Sequence, residues 1–428
     1  MADVTVPGLR NLGNTCYFNA VLQALAASQF FQEYVAGLID AGEAASEQRP
    51  FAAVLQQCLS DLSPQPRKYI RSVVPRDLNC MLSEDTSMFR GMHQQDAEEG
   101  FQFIMEKLEK EINQSKPDTC SLSTLLPARA PFTADGTSAP IHPFYGLTGN
   151  LLECNVCQKA KPISTDYFLD LKLSLCPFMD GQRPFGTLRE SLLHYTSQER
   201  IEGVECSHCT LVQYVEDLDR KLDTLATTST PVDLCGDKND DGRHRSSSNY
   251  SVYDLYCRAQ LRDMLAKRVE QSRSSGVCDI DLDDPHCWTP DQRVVWETNG
   301  VTDPLDIART HATFLRHVEL VRPPRVLLFH INRNVYVSDT VVKLDVHLAF
   351  DDRLRLTAPL VRHCEPISYA LVAVVVHHGN ERGGHYTCYR RVTSSHWVHI
   401  SDEHVVDVSV ADVRRAKAYM LLYEMMSL

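Results

Sequence analysis

The hydrophobic positions of the first hundred residues recur at helical spacing. Within residues 8–25 the apolar side chains fall at i, i+3, i+4 and i+7, at Phe18, Val21, Leu22 and Leu25. This spacing predicts an amphipathic helix that begins near Cys16. Residues 94–112 show the same spacing, with Glu and Lys on the other faces. We therefore expect residues 8–110 to be mainly helical.

From about residue 143 the hydrophobic pattern changes to short runs typical of strands. Leucine alternates with polar residues in the segment 166–175, which predicts a strand with one buried face. Later apolar runs predict further strands, at 324–332, 369–378, 385–391, 397–400 and 418–426. Because predicted helices precede predicted strands instead of alternating with them, the expected fold class is α+β.

The segment 215–309 interrupts this order. It is rich in Asp, Ser, Gly and Asn, and it contains one helix-like patch at 253–271. We interpret it as an insertion that is largely loop or disordered.

Composition narrows the class of protein. The chain has 428 residues, 43% of them hydrophobic, and a net charge of −13, which argues against general binding of nucleic acid. No run of 18 apolar residues exists, so we expect no membrane-spanning segment, and MADVTVPG does not resemble a signal or transit peptide. Fifteen cysteines, irregularly spaced, favour reduced thiols and metal ligands in a cytosolic or nuclear environment.

Cys16 is a candidate nucleophile because it stands where the first helix should begin. The helix dipole and the unpaired N–H groups at that end favour a thiolate. The polar approach Asn11, Gly13, Asn14 and Thr15 offers candidate N-cap residues. From the segment alone, a small buried cysteine on a core helix is an equally good interpretation.

Four cysteines form two CxxC pairs, Cys154 with Cys157 and Cys206 with Cys209. Two such knuckles can complete a tetrahedral Zn²⁺ shell without an open ligand position, so we expect a structural zinc site. Two redox motifs and coincidental thiols are the other interpretations. His208, inside the second knuckle, is a possible substitute ligand.

His385 is a candidate base for the thiol. It follows Gly383 and Gly384, where the backbone can approach a substrate closely. If 385–391 and 397–403 form a hairpin with its turn near 393–394, His385 lies opposite residue 402 or 403. Ser401, Asp402 or Glu403 would then stand beside the imidazole and orient it. The alternative interpretation is that His385 is an exposed strand histidine. Several of the 17 histidines lie close by, so position alone does not single it out.

Together these segments resemble the ubiquitin-specific proteases, which are papain-like cysteine isopeptidases. The resemblance rests on five ordered segments, GLRNLGNTCYFNAVLQAL, QQDAEEGF, the paired CxxC knuckles, PPRVLLFHINR, and GGHYTCYRR with WVHISDEHV. It implies one catalytic domain over 6–426, with the 215–309 insertion inside it. It also implies a fingers–palm–thumb architecture with a zinc ribbon in the fingers.

The resemblance assigns roles to single residues. It implies Cys16 as nucleophile, His385 as general base and Asn11 as the oxyanion-stabilising side chain. Asp96 and Glu99 match acidic positions that hold basic residues of the ubiquitin tail. Gly383 and Gly384 fit a narrow channel that admits only a Gly-Gly tail.

One position departs from the family pattern. The third catalytic residue is usually Asp or Asn, and here that position is Ser401, followed by Asp402. We favour Ser401 as the residue that orients the histidine, with Asp402 either taking that role or placing a water. With this serine, the segments AVVVHHG, GGHYTCYRR and WVHISD together resemble a mitochondrial outer-membrane subgroup of the family that opposes mitophagy. This implies a cytosol-facing enzyme at that membrane, although this sequence shows no anchor.

The expected function is therefore thiol-dependent hydrolysis of the isopeptide bond at the C-terminal glycine of ubiquitin. Ubiquitin and ubiquitinated proteins are the expected partners, and nucleic acid is not. A weak or inactive ubiquitin-binding family member is one alternative. A zinc-ribbon nucleic-acid protein is another, which the net charge of −13 disfavours.

Overall fold

The fold is described here from a computed structural model of the protein. The described residues are 4–40, 50–67, 70–85, 96–114, 142–175, 184–228, 252–275, 282, 288–298, 308–337, 340–358, 360–361, 366–380 and 383–426.

The described residues form ten helices. These are α1 (Cys16–Leu25), α2 (Gln29–Asp40), α3 (Pro50–Asp61), α4 (Arg76–Asp85), α5 (Ala97–Gln114), α6 (Leu188–Tyr195), α7 (Ser207–Thr228), α8 (Val252–Ser275), α9 (Pro290–Thr298) and α10 (Val410–Arg414).

The same residues form sixteen strands. These are β1 (Val4–Thr5), β2 (Gln65–Pro66), β3 (Gly146–Cys154), β4 (Ala160–Phe168), β5 (Leu171–Ser174), β6 (Glu199–Glu205), β7 (His311–Arg322), β8 (Val326–Asn332), β9 (Asn334–Val337), β10 (Thr340–Lys343), β11 (Arg353–Leu356), β12 (Ile367–Asn380), β13 (Gly383–Arg391), β14 (Trp397–Ser401), β15 (His404–Val408) and β16 (Ala418–Met425).

The chain divides into two compact units. The first comprises the described residues of Met1–Thr148, Asp166–Thr196 and Glu319–Leu428, and the second those of Gly149–Thr165 and Ser197–Val318. The first unit is built on an eight-stranded sheet in the order β15-β14-β13-β12-β16-β8-β5, with β11 also paired to β12.

Both faces of this sheet are buried, which explains the continuous apolar runs of its central strands. On one face, side chains such as Leu328, Val375 and Leu422 join the core formed by α1 to α5. On the other face, their neighbours, such as Phe329 and Leu421, join a second core with α6. Helix α1 is buried along all ten residues, so it lies inside the first core.

The second unit contains α7, α8, α9, β6 and the greater part of β3, β4 and β7, and these strands pair in the order β4-β3-β7-β6. Apolar residues of α7 and α8, including Leu211, Leu218, Leu261 and Leu265, form a small core with Trp288, which precedes α9.

The helices and late strands predicted on either side of 215–309 agree with the structure, whereas the single strand predicted at 166–175 is divided between β4 and β5. The helices expected at Cys16 and at 94–112 are α1 and α5, and the expected late strands are β8, β12, β13, β14 and β16. Within 215–309 the described residues are mainly helical, and α8 covers the patch expected at 253–271. Most of the rest of that segment lies outside the described residues, so its expected loop character stays a prediction. Among the described residues no helix is long and apolar enough to cross a membrane.

A buried arginine fixes the C-terminal end of α1. Arg390 on β13 is 2% exposed, and its guanidinium donates to the carbonyl oxygens of Ala26 at 2.6 Å and Leu62 at 2.9 Å. It also donates to the side-chain oxygen of Gln23 at 2.9 Å. Burial lowers the pKa of Arg390 to about 10, so it remains charged at neutral pH. The cation faces the carbonyl end of the helix, where the dipole favours positive charge.

We expect Arg390→Met to lower the free energy of unfolding by about 3 kcal/mol, because the carbonyl oxygens of Ala26, at the end of α1, and of Leu62 each lose a charged hydrogen-bond donor. Urea denaturation followed by circular dichroism measures this. Arg391→Met is the matched control, since within the part of the chain that the structure describes the Arg391 side chain donates only to the exposed carbonyl of Thr393, at 3.2 Å. Equal losses in both variants would contradict a specific role for Arg390.

Candidate active site

A tight turn at the end of β14 organises the site. Ser401 pairs with His404 across the β14–β15 hairpin, so Asp402 and Glu403 form its two-residue turn. Asp402 has a φ of 50°, a left-handed conformation that Asp tolerates in such turns. Ser401 therefore ends the strand, while the side chain of Asp402 departs from the strand direction.

His385 contacts Ser401. The distance from His385 Nε2 to Ser401 Oγ is 2.8 Å, which is hydrogen-bond length. The β13–β14 register pairs Cys388 with Ile400 and Arg391 with Trp397, which agrees with the turn position predicted from the sequence. The contact leaves Nδ1 of the imidazole on the other side of the ring.

Asp402 instead binds the segment that contains the cysteine. Its carboxylate accepts hydrogen bonds from Asn11 Nδ2 at 2.9 Å and from Asn19 Nδ2 at 2.7 Å. Its backbone carbonyl accepts from the N–H of Leu9 at 2.9 Å. The turn after Ser401 is thus joined both to the approach loop of α1 and to α1 itself.

Asn11 is held in one orientation by its own loop. Its Oδ1 accepts from the backbone N–H groups of Gly13 at 3.0 Å and Thr15 at 3.2 Å. The amide nitrogen must therefore face Asp402, and it retains a second hydrogen to donate. Gly8 permits this arrangement, because an added Cβ there would lie 2.5 Å from the carbonyl oxygen of Glu403.

Cys16 is the first residue of α1, as predicted, and it is 4% exposed. Burial alone would also suit a core cysteine, so its position at the helix N-terminus is the informative feature. Helix α1 packs against β13, the strand that carries His385. Tyr386, the residue after His385, has a hydroxyl pKa held above its usual value by burial, then by Asp96, with a smaller contribution from Cys16.

The neighbouring histidines have other partners. His377 stacks on Tyr386 with ring centres 4.4 Å apart and lies 3.0 Å from Lys343 Nζ. Burial lowers its pKa to about 4, with a further contribution from Lys343, so His377 is neutral at pH 7. Histidines 378, 396 and 399 contact Thr387, Asp407 and the Tyr389 ring, respectively. Contact with Ser401 distinguishes His385 from these four.

The two acidic candidates at the start of α5 differ. Asp96 is engaged: its Oδ2 accepts from the hydroxyls of Tyr386 at 3.1 Å and Tyr419 at 2.5 Å. Its Oδ1 accepts from the backbone N–H of Glu98 at 2.7 Å, which caps the helix. Glu99 is exposed, and partial burial and the charge of Asp96 raise its pKa. Only Glu99 presents its carboxylate to the solvent.

Gly383 and Gly384 begin β13 and pair with Asn380 and Gly379 of β12. An added Cβ at Gly384 would lie 2.1 Å from the carbonyl oxygen of His378. Cross-strand packing therefore requires a glycine at 384, whatever approaches from the other side.

The four cysteines lie together in the second unit. The Sγ distances are 3.8 Å for Cys154 and Cys209 and 3.6 Å for Cys157 and Cys206. All four Sγ atoms lie within 4.8 Å of one another, so the group could hold a metal ion. His208 is not part of this group.

Sequence reasoning missed two parts of the site. Asn19 is a polar residue inside the apolar run of α1, and this polarity was the only sign in the sequence that it has a specific partner. Tyr386 and Tyr419, which hold Asp96, lie in strands where an aromatic residue is ordinary core.

Comparison with known proteins defines the class. The family model described as ubiquitin carboxyl-terminal hydrolase matches residues 7–423, so the chain belongs to this family of cysteine-type ubiquitin hydrolases. The prediction of a deubiquitinase is thereby confirmed.

Several curated relatives cover nearly the whole chain. Ubiquitin carboxyl-terminal hydrolase 30 of Danio rerio is 25% identical, over 98% of this chain and 86% of the relative. The Homo sapiens protein of the same name is 26% identical, over 98% and 84%. Ubiquitin carboxyl-terminal hydrolase 27 of Arabidopsis thaliana is also 26% identical, over 98% and 85%.

Solved structures show the same fold. Ubp8 in the SAGA deubiquitinase module bound to ubiquitin aldehyde has a TM-score of 0.60 at 17% identity, over 99% of this chain and 70% of that chain. The same module bound to monoubiquitin gives the same TM-score. This likeness confirms the predicted α+β, papain-like fold class.

The contact between Asn19 and Asp402 gives a test of how the turn is held. We expect Asn19→Asp to lower the free energy of unfolding by about 2 kcal/mol at pH 7, because two carboxylates then face each other in a buried site. Burial and Asp402 raise the pKa of the introduced carboxyl above its unfolded value of about 4. The loss should therefore be small at pH 4 and grow as the pH rises to 7.

Urea denaturation of the variant at pH 4, 5.5 and 7 measures this loss. Asn332→Asp makes the same chemical change at an exposed position of the same unit and should stay within about 0.5 kcal/mol of the native protein. A loss in Asn19→Asp that does not depend on pH would show that repulsion from Asp402 is not its cause.

Proposed function

We propose that this protein hydrolyses the isopeptide bond after the C-terminal glycine of ubiquitin, with Cys16 as nucleophile and His385 as general base. The observation that carries the proposal is the turn 401–403. One of its residues contacts His385 at 2.8 Å, and the next binds the loop that precedes Cys16.

The contact with Ser401 supports different roles for the two imidazole nitrogens of His385. If Nε2–H donates to Ser401 Oγ, the lone pair of Nδ1 is left to accept the proton of the Cys16 thiol. The thiolate then attacks the glycine carbonyl carbon and forms a tetrahedral intermediate. The imidazolium gives its proton to the departing lysine amine. His385 next takes a proton from water, whose oxygen attacks the acyl-enzyme and releases the ubiquitin carboxylate.

Asn11 would stabilise the charge that develops on the carbonyl oxygen. One hydrogen of its Nδ2 is used by Asp402, and the other can donate to that oxygen. The contacts therefore support Ser401 as the residue that orients His385, and Asp402 as the residue that positions Asn11.

The acidic start of α5 would meet the basic tail of ubiquitin. Glu99 is exposed and offers a carboxylate directly. Asp96 would act mainly by capping α5 and keeping Glu99 in place. Gly383 and Gly384 would border the channel for the Gly-Gly tail.

Ubiquitinated proteins of the mitochondrial outer membrane are the proposed substrates, so the enzyme would oppose mitophagy from the cytosolic side. Support comes from the segments AVVVHHG, GGHYTCYRR and WVHISD, the last of which contains Ser401, since together they resemble that subgroup.

The four cysteines fit a structural zinc ion. Zn–S bonds of about 2.3 Å in a tetrahedron place sulfur atoms about 3.8 Å apart. The Sγ–Sγ distances of 3.6 Å for Cys157 and Cys206 and 3.8 Å for Cys154 and Cys209 match that spacing. Cys154, Cys157, Cys206 and Cys209 would hold the ion as thiolates and stabilise the second unit.

Hydrolysis of a fluorogenic ubiquitin C-terminal amide tests the catalytic assignment. We expect Cys16→Ala to abolish turnover and Ser401→Ala to lower kcat about ten- to a hundredfold, because the imidazole loses its orienting partner. Asp402→Ala should lower kcat about 10²–10³-fold, the usual cost of an oxyanion donor. Turnover by Cys16→Ala would refute the mechanism, and absence of turnover by the native protein would leave a ubiquitin-binding family member.

A double-mutant cycle separates the role of Ser401 from that of Asp402. If Asp402 acts through Asn11, the variant Asn11→Ala with Asp402→Ala should be about as slow as Asn11→Ala alone. Asn11→Ala with Ser401→Ala should show both losses multiplied. Multiplied losses for Asp402 as well would show that it acts on His385 or independently.

Zinc content tests the metal site. We expect about one zinc ion per chain in the native protein by elemental analysis, and a loss of most of it in Cys206→Ser, with a lower melting temperature. Cys80→Ser, at an exposed cysteine on α4, is the control and should retain the metal. Equal zinc in both variants would refute the four-cysteine site.

A further inference from the structure

A second group of metal-binding side chains lies in the first unit. Glu98 on α5, Asp170 between β4 and β5, and His330 on β8 each place one donor atom within 4.8 Å of the other two. Glu98 and Asp170 are both only 8% exposed. Three separate elements thus converge on one buried point, away from the four cysteines in sequence and in unit.

Two donor atoms of this group lack a partner. Asp170 Oδ1 accepts from Gln102 Nε2 at 2.7 Å, but buried Oδ2 has no hydrogen-bond partner among the described residues. The same holds for Nδ1 of His330. Buried polar atoms without partners are rare and costly, so an occupant that uses both would explain them.

The charges in the group do not balance. Two buried carboxylates face one ammonium, that of Lys172, whose Nζ lies 3.0 Å from Glu98 Oε1. The side chain of Lys172 is 60% exposed, so its ammonium can withdraw into solvent. A site with two carboxylates and one imidazole would then remain.

We propose that Glu98, Asp170 and His330 bind one divalent transition-metal ion of the Mn²⁺ or Zn²⁺ class. Carboxylate oxygens suit Mn²⁺, and a carboxylate set with one imidazole also suits Zn²⁺. Bonds of about 2.1 Å require donors about 3–3.5 Å apart, so the three side chains draw together on binding.

The surroundings provide access. A cavity of about 460 Å³ is lined by Asp170, Lys172 and Gln102, among others. An ion can therefore reach the carboxylate of Asp170 from that side. Part of its water shell fills the coordination positions that three protein ligands leave open.

The ion would couple to the active site through packing. The His330 ring lies 4.8 Å from the Tyr419 ring, centre to centre, and the Tyr419 hydroxyl donates to Asp96. Glu98 itself belongs to the first turn of α5. Binding would thus fix the segment that carries Asp96 and Glu99, without contact with the reacting atoms.

A proton shared between the two carboxyls is the competing occupant. Burial, then the charge of Glu98, raises the pKa of Asp170 to about 6. Such a proton would satisfy Asp170 Oδ2 but would leave Nδ1 of His330 without a partner. Mn²⁺ binding is therefore measured at pH 7.5, where a bound metal ion and a proton shared by the two carboxyls predict different results.

Mn²⁺ alone is the probe, because thiolates bind it weakly and the cysteines then do not interfere. Native protein that carries one equivalent of Zn²⁺, enough for the four cysteines alone, is titrated with Mn²⁺, and free Mn²⁺ is counted by electron paramagnetic resonance. We expect one bound ion per chain, and at least about tenfold weaker binding in Asp170→Asn and His330→Gln. Glu106→Gln, at an exposed position of the same helix, should bind as the native protein does.

Lys172→Met gives the decisive comparison, since it keeps all three ligands and removes the competing ammonium. It should tighten Mn²⁺ binding about tenfold, because a unit charge a few Å from a divalent ion repels it strongly. No uptake by the native protein at about millimolar Mn²⁺, or unchanged uptake in Asp170→Asn, would overturn the proposal. Unchanged affinity in Lys172→Met would do the same, and this variant remains informative if the ligand variants fail to fold.

Discussion

The carboxylate of Asp402 joins parts of the chain that lie nearly 400 residues apart. Its bond to Asn11 spans 391 positions and its bond to Asn19 spans 383. A nucleophile and a base so distant in sequence need a fixed connection, because proton transfer requires heavy atoms about 3 Å apart. The turn supplies it, since Ser401 faces the histidine and its neighbour faces the cysteine loop.

The core provides the second half of this constraint. Helix α1 is buried on all sides and so cannot shift without disrupting the core that it shares with β12 and β13. Arg390 holds its C-terminal end from β13, while the Asp402 turn holds its N-terminal end. The sheet that carries His385 therefore fixes α1, the helix that begins at Cys16, at both ends. Such support positions catalytic groups more closely than a loop could.

Much of this architecture could be predicted from the sequence, because the spacing of apolar residues within each segment reflects its secondary structure. The spacing after Cys16 predicted α1, and the apolar runs predicted the central strands, because burial on one or two faces leaves a periodic trace. Helix α7 was not foreseen as a unit, since it runs from a zinc-type knuckle across residue 215, where the composition changes. Its small core with α8 depends on contacts that no single segment reveals.

The choice between Ser401 and Asp402 could not be made from spacing. Both residues satisfy the hairpin register to within one position, and the difference arises from backbone conformation. Ser401 is the last residue of β14, whereas Asp402 has a φ of 50° and turns away. The partners of Asp402 are equally invisible in the sequence, because an asparagine in a helix carries no mark of what it contacts across the fold.

This distribution of charge has a consequence for catalysis. In a triad with a carboxylate, the negative charge beside the imidazole stabilises the imidazolium that forms during attack. Here the partner of His385 is the neutral hydroxyl of Ser401. The nearby carboxylate of Asp402 instead accepts hydrogen bonds from two side-chain amides. In the proposed mechanism, the thiolate–imidazolium pair would thus be supported less at the base, and Cys16 would depend more on the helix N-terminus. The carboxylate of Asp402 would instead polarise Asn11, so that electrostatic support would move from the proposed base to the proposed oxyanion donor.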